Sequence, residues 1–170
     1  MAAIAEIRLE EIKAKEDLSL RLGDALDVKA SVGLVVLLFL ATQSAYFFDK
    51  GPSVYGWWMQ VVSAGFTSVA ILFAIFALWP RRYTLPEPES DIVTERIAQL
   101  RHFYASDPTE CIEPNVTAAL IDDETKWAKE RIAANQKKNW LKSDFLNWSF
   151  WLTIPAIALN LGTMLALIKN

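Results

Sequence analysis

The chain has 170 residues, of which 53% are hydrophobic and 22% charged, with a net charge of −3. The length is that of one domain, and the charge is too small to argue for nucleic acid, since no Lys/Arg-rich run or arginine–aromatic interleaving supports it. A single cysteine, Cys111, excludes an intrachain disulfide and reads as a small buried hydrophobe in a reducing compartment. Apolar and charged residues are segregated along the chain, which is the pattern of an all-α membrane protein with a cytosolic helical region.

In chain order, residues 2–28 predict a helix, with Ile4, Ile7, Ala14, Leu18, Leu22 and Ala25 roughly on one face, interrupted by Glu11. Ala30–Phe48 is the first predicted transmembrane helix, nineteen uncharged residues between Lys29 and Asp49-Lys50. It lies behind a charged segment and outruns a signal-peptide core, so it is expected to be retained. Asp49 to Gly56 reads as a polar turn. Trp57–Trp79 is the second span, with tryptophans at both ends, where an interfacial belt places them. So short a turn makes these two spans an antiparallel hairpin.

Pro80-Arg81-Arg82 stops the second span, and the Pro-rich TLPEPES follows. Ser90 is the expected N-cap of an amphipathic helix over Asp91–Tyr104, whose stripe is Val93, Ile97, Leu100 and Tyr104. Residues 105–114 hold Asp107-Pro108 and Glu113-Pro114 and predict a loop. A second helix is expected from Asn115, with Val116, Leu120, Trp127 and Ile132 on one side. Nothing breaks it before Phe145–Ile168, the third span, twenty-four residues without a charge. At about 1.5 Å per residue that stretch reaches roughly 36 Å, enough to cross a hydrocarbon core of about 30 Å. Residues 115–168 can therefore form one long helix bent at Pro155. The resulting layout is a cytosolic N-terminal helix (1–29), a transmembrane hairpin (30–80), a cytosolic helical region (81–144) and a third transmembrane helix (145–170).

Lys29, Arg81, Arg82, Lys137, Lys138 and Lys142 flank the spans on one side, against Lys50 and Lys169 on the other. The positive-inside rule then puts the N-terminus in the cytosol and the C-terminus outside. The sequence offers no Gly-rich phosphate loop and no nucleophile–base pair. His102 and Cys111 are its only soft ligands, and two do not make a zinc site. The expectation is a chain that is not an enzyme and takes no metal or cofactor. Asp122, Asp123 and Glu124 read as a solvated helix face.

No span contains an ionisable residue, which counts against a proton-coupled carrier. Gln43, Thr67 and Asn160 each fall about 20 Å from the cytosolic end of their span, at 1.5 Å per residue. They form one polar level, which serves either as an interhelical hydrogen-bond belt or, in an oligomer, as a pore lining. Ala158, Gly162 and Ala166, spaced by four, offer a helix-packing face, with Ala70 and Ala74 as a matching surface. Pro155 frees the carbonyl of Trp151 and is a candidate hinge.

GDALDVKASVGLVVLLFLATQSAY, Gly23 to Tyr46, resembles the start of bacterial transmembrane effectors of the Pycsar type, the membrane partners in cyclic-nucleotide-based antiphage signalling. LIDDETKWAKERIAANQKKNWLKSDFLNWSFW, Leu120 to Trp151, fits the same plan, in which a helix runs through lysines into a last span. The two-span SLATT-type effectors share the general plan. The resemblance implies a multi-pass protein of the bacterial inner membrane that impairs or permeabilises it on a cytosolic signal during phage infection. Its implied partners are the lipid bilayer, further copies of the chain in a homo-oligomer, and a cyclic nucleotide or a cytosolic protein. Asp27 and Lys29 mark the first junction, and Arg81 and Arg82 are inner-interface charges near any anionic ligand. The alternative is a non-conducting scaffold or anchor for a cytosolic protein partner. A small-solute transporter assembled from several copies is a third reading.

Overall fold

A computed structural model describes residues 2–49, 54–79, 81–85, 90–105 and 112–169. They form four helices, α1 (Ala2–Asp49), α2 (Val54–Leu78), α3 (Ser90–Tyr104) and α4 (Ile112–Lys169), and no strand among the described residues. Three of these, α1, α2 and α4, are long and apolar enough to cross a membrane. Cys111, residues 50–53 of the polar turn, Pro80 and the side chain of Ser90 lie outside the described residues.

α1 passes without a break through the junction at residues 28–30, because hydropathy changes there while helix propensity does not. At 48 and 58 residues, α1 and α4 each exceed the about 20 residues that a span needs. α4 is continuous, as the absence of breakers predicts, but it starts at Ile112 instead of Asn115. The reason is that Glu113-Pro114, read as loop, falls in the first turn. A proline there gives up no intrahelical hydrogen bond, and the acid before it sits at the positive end of the helix. α2 likewise starts at Val54, ahead of Trp57.

By compactness the chain divides into two units. One comprises the described residues of Gly23–Arg81 and Asn139–Asn170. Its helices bury seams at steps of three, four or their sum of seven: Gln60, Ser63, Thr67, Ala70, Ala74 and Ala77 on α2, with Leu37, Leu40, Ser44 and Phe47 on α1 and Ser149, Ala156, Asn160 and Thr163 on α4. That spacing is the left-handed coiled-coil repeat. The apolar core is small, made of Leu37, Ala70 and Ala74 with Leu34, Ile71 and Leu152 against it. The large apolar side chains face outward instead, among them Phe39, Leu72, Phe76, Trp151 and Leu165. Small and polar residues inside with bulky apolar ones outside is the composition a bundle needs in lipid. Lipid tails are as apolar as leucine, so close approach and hydrogen bonds hold such helices together.

The other unit comprises the described residues of Met1–Leu22 and Arg82–Lys138. Leu100, Val116 and Ala128 are its buried apolar residues. Val93, Ile97 and Tyr104 are half-buried beside Leu100, so the α3 stripe lies on its packed face. The α1 stripe does not. Ile7, Leu18 and Leu22 are 58%, 66% and 50% exposed, whereas Glu16 and Ser19 are buried. Apolar periodicity fails here because the face that packs is chosen by an ion pair.

Candidate functional site

In lipid every polar group must find its partner within the protein. Asn160 does so completely. Its Nδ2 donates to Ser63 Oγ at 2.8 Å and to the Ala156 carbonyl at 3.1 Å, and its Oδ1 accepts from Ser44 Oγ at 3.2 Å. One asparagine on α4 thereby joins α1 and α2. Ser63 Oγ donates in turn to the Ala156 carbonyl at 3.1 Å, and Ser149 Oγ donates to the Ala70 carbonyl at 2.9 Å. Thr67 and Thr163 satisfy themselves on carbonyls one turn back, those of Ser63 and Leu159. Gln60 is the exception. It is fully buried, and neither its Oε1 nor its Nε2 has a partner among the described residues.

Of the level anticipated at Gln43, Thr67 and Asn160, the last two are buried on the seam and Gln43 is half-buried. The groups bonded to Asn160 are Ser44 and Ser63, neighbours of the predicted pair along their helices. One residue turns a side chain by about 100° on a helix, so Ser44 meets the seam and Gln43 is turned from it. Depth alone does not distinguish them. Within the chain, Ala158 and Ala166 are exposed and only Gly162 of that stripe is in contact. A Cβ there would come 2.7 Å from the Cε of Met59. Pro155 is half-buried within unbroken helix.

At the charged end of the bundle, Lys142 Nζ donates to both carboxylate oxygens of Asp27, at 2.6 and 2.7 Å. The lysine is buried and the aspartate partly open. The Arg81 guanidinium lies 5.7 Å from the centre of the Phe145 ring, which also packs near Phe73 and Phe76. Lys29 is exposed and has no partner among the described residues.

In the other unit, Arg131 is held by two carboxylates. Its Nε lies 2.5 Å from Glu16 Oε1, and its Nη2 is 3.2 Å from Glu16 Oε2 and 2.8 Å from Glu124 Oε1. The hydrogen bond to Glu16 is the main cause that raises the Arg131 pKa; burial opposes it and Glu124 adds to it. Arg96 meets Asp123 at 2.7 Å, and that hydrogen bond raises its pKa too. Both guanidinium groups stay charged at any accessible pH. The acidic trio is thus corrected. Asp123 and Glu124 are tied to arginines, and only Asp122 is an exposed face residue. Fully buried Asn135 accepts from the Thr84 N–H at 3.0 Å and donates to the Thr84 carbonyl at 3.1 Å, fixing the strap over 81–85. Lys138 Nζ donates to the Arg82 carbonyl alongside. Sequence reasoning missed Glu16, Arg131 and Asn135, which look like members of a solvated face.

A family model described as the Pycsar effector protein domain matches residues 16–169. The matched stretch takes in the Arg131 ion pairs, the Asp27–Lys142 pair and the whole polar seam. Comparisons with curated proteins and with solved structures match nothing.

Proposed function

The chain belongs to the Pycsar effector family, the effectors of cyclic-nucleotide signalling against phage, and from that premise we propose that it impairs the bacterial inner membrane by self-association, without catalysing a reaction. The observation that carries this reading is the polar seam. Gln60, Ser63, Thr67, Asn160 and Thr163 line the inside of a bundle whose outside is bulky and apolar. In a single chain these groups are buried, and Asn160 is bonded to Ser44 and Ser63. When several copies rearrange, the same faces supply a hydrated path, while Leu72 and Phe76 stay toward lipid. The cyclic nucleotide is the signal that shifts the population from closed to associated, and it does so by binding the associated form more tightly. The lysine- and arginine-rich ends face the cytosol in this reading.

The test is membrane potential in cells carrying the full chain, followed by a voltage-sensitive dye on supply of cyclic nucleotides. Wild type depolarises. Asn160→Leu inserts to the same level and does not, because the hydrated path of the associated form loses its central polar group. Unchanged depolarisation in Asn160→Leu makes the seam structural glue. A wild type that never depolarises under any nucleotide favours the non-conducting scaffold.

A further inference from the structure

Apart from the seam, the bundle carries a groove of about 610 Å³ between α1 and α4. Its mouth is polar. Lys29 on α1 faces Ser143 and Asn147, one turn apart on α4, and none of the three side chains has a partner among the described residues. Asp27, the nearest acid in sequence, is already held by Lys142. The Lys29 charge therefore has no ion-pair partner among the described residues. Beyond the mouth the walls are mostly apolar, with Val36 and Leu37 on one side and Phe150 and Ile157 on the other, and the hydroxyls of Ser149 and Thr153 there are bonded to backbone carbonyls. Gly33 leaves a gap in the α1 wall, since a Cβ there would meet nothing within 4 Å.

From Ser143 to Ile157 the groove runs about 21 Å along α4, enough to cover one leaflet of a hydrocarbon core about 30 Å thick. Drawn out over that length, the groove is a half-open channel. It has room for an extended hydrocarbon chain. A cation with two hydrogen-bonding groups at one end of such a channel matches a phosphate ester followed by an acyl tail.

We propose that this groove is a binding site for an anionic phospholipid, with the phosphate at Lys29, Ser143 and Asn147 and one acyl chain lying along Gly33 toward Ile157. The proposal rests on the chain's crossing a bilayer, and it is independent of permeabilisation. It also gives a role to Lys29 that pairing within the chain does not.

Full-length protein, delipidated in detergent, is titrated with phosphatidylglycerol or phosphatidylcholine, and bound lipid is counted by native mass spectrometry. Wild type holds one phosphatidylglycerol about fivefold more tightly than phosphatidylcholine, the preference that one lysine near a headgroup confers. Lys29→Gln makes the two lipids equal. Gly33→Phe fills the channel and loses both, whereas Leu72→Phe, on the lipid-facing side of α2, changes neither. Should Gly33→Phe not insert, Val36→Phe blocks the same channel from the adjacent turn. A wild type without headgroup preference, or unchanged lipid occupancy in the blocked variants, overturns the site. A blocked variant that changes oligomeric mass while lipid occupancy stays also overturns it, and assigns the groove to a second copy.

Discussion

At the scale of the residue, Arg131 decides how the first turns of α1 pack. Its side chain is 9% exposed and Glu16 is 4% exposed. Their bidentate geometry is the kind that holds a buried pair in one register. The pair need not add stability relative to a hydrophobic replacement, but breaking it is costly. Arg131→Met leaves buried Glu16 and half-buried Glu124 without that cation, a loss of about 3–5 kcal/mol. Hydrogen exchange should therefore show the amides around Glu16 losing protection by about two to three and a half orders of magnitude, at about 1.4 kcal/mol per decade. Glu16→Gln should lose less, because Glu124 still meets the guanidinium. Protection equal to wild type in Arg131→Met would mean that the pair does not close this face. None of this was legible beforehand. Arg131 lies in KERIAANQKKN, a run that reads as solvated, and the apolar residues of α1 pointed to the opposite face.

At the scale of the element, the spans were legible because hydrocarbon imposes a length and forbids charge, and both are visible in one dimension. The α3 stripe was legible for a similar reason, since its apolar residues repeat at the helical period. The seam was not. Gln60, Ser63, Thr67, Ala70, Ala74 and Ala77 repeat by three and four, but a search for apolar faces passes over serine, threonine and alanine. Searching the spans for small and polar residues at that repeat would have found the packed face of α2. The strap over 81–85 had no signal at all, because its anchor is one amide on a distant helix. Asn135→Ala removes both hydrogen bonds to Thr84 and leaves its backbone without those partners. Limited trypsin treatment of the solubilised protein should then cut after Arg81 or Arg82 severalfold faster than wild type. Equal cutting rates would show that Lys138, through the Arg82 carbonyl, is sufficient to hold the strap.

At the scale of the whole molecule, Gln60 links the architecture of the bundle to the proposed activity. A primary amide buried without a partner costs about 1–3 kcal/mol by protein mutational measures, and more in hydrocarbon. The closed bundle bears that cost, and an associated form in which Gln60 meets water does not. If the bundle opens by association as proposed, Gln60 favours that step from both sides of the equilibrium. Gln60→Leu reverses both effects: it removes the orphan amide from the closed state and places an apolar group in the hydrated one. The variant should insert at least as well as wild type, resist heat better in detergent, and need more cyclic nucleotide to depolarise cells. Gln60→Glu should act the other way, with leak and poor growth on induction before any signal, since a carboxylate in the closed seam has no partner to offset its desolvation. Ser149→Ala serves as the control. It deletes an interhelical hydrogen bond of the same bundle without altering the balance at Gln60, so it should lower thermal stability slightly and leave the nucleotide response in place. If Gln60→Leu melts lower than wild type and depolarises at the same nucleotide level, Gln60 has a partner in the resting protein and the closed seam is not what the signal must open.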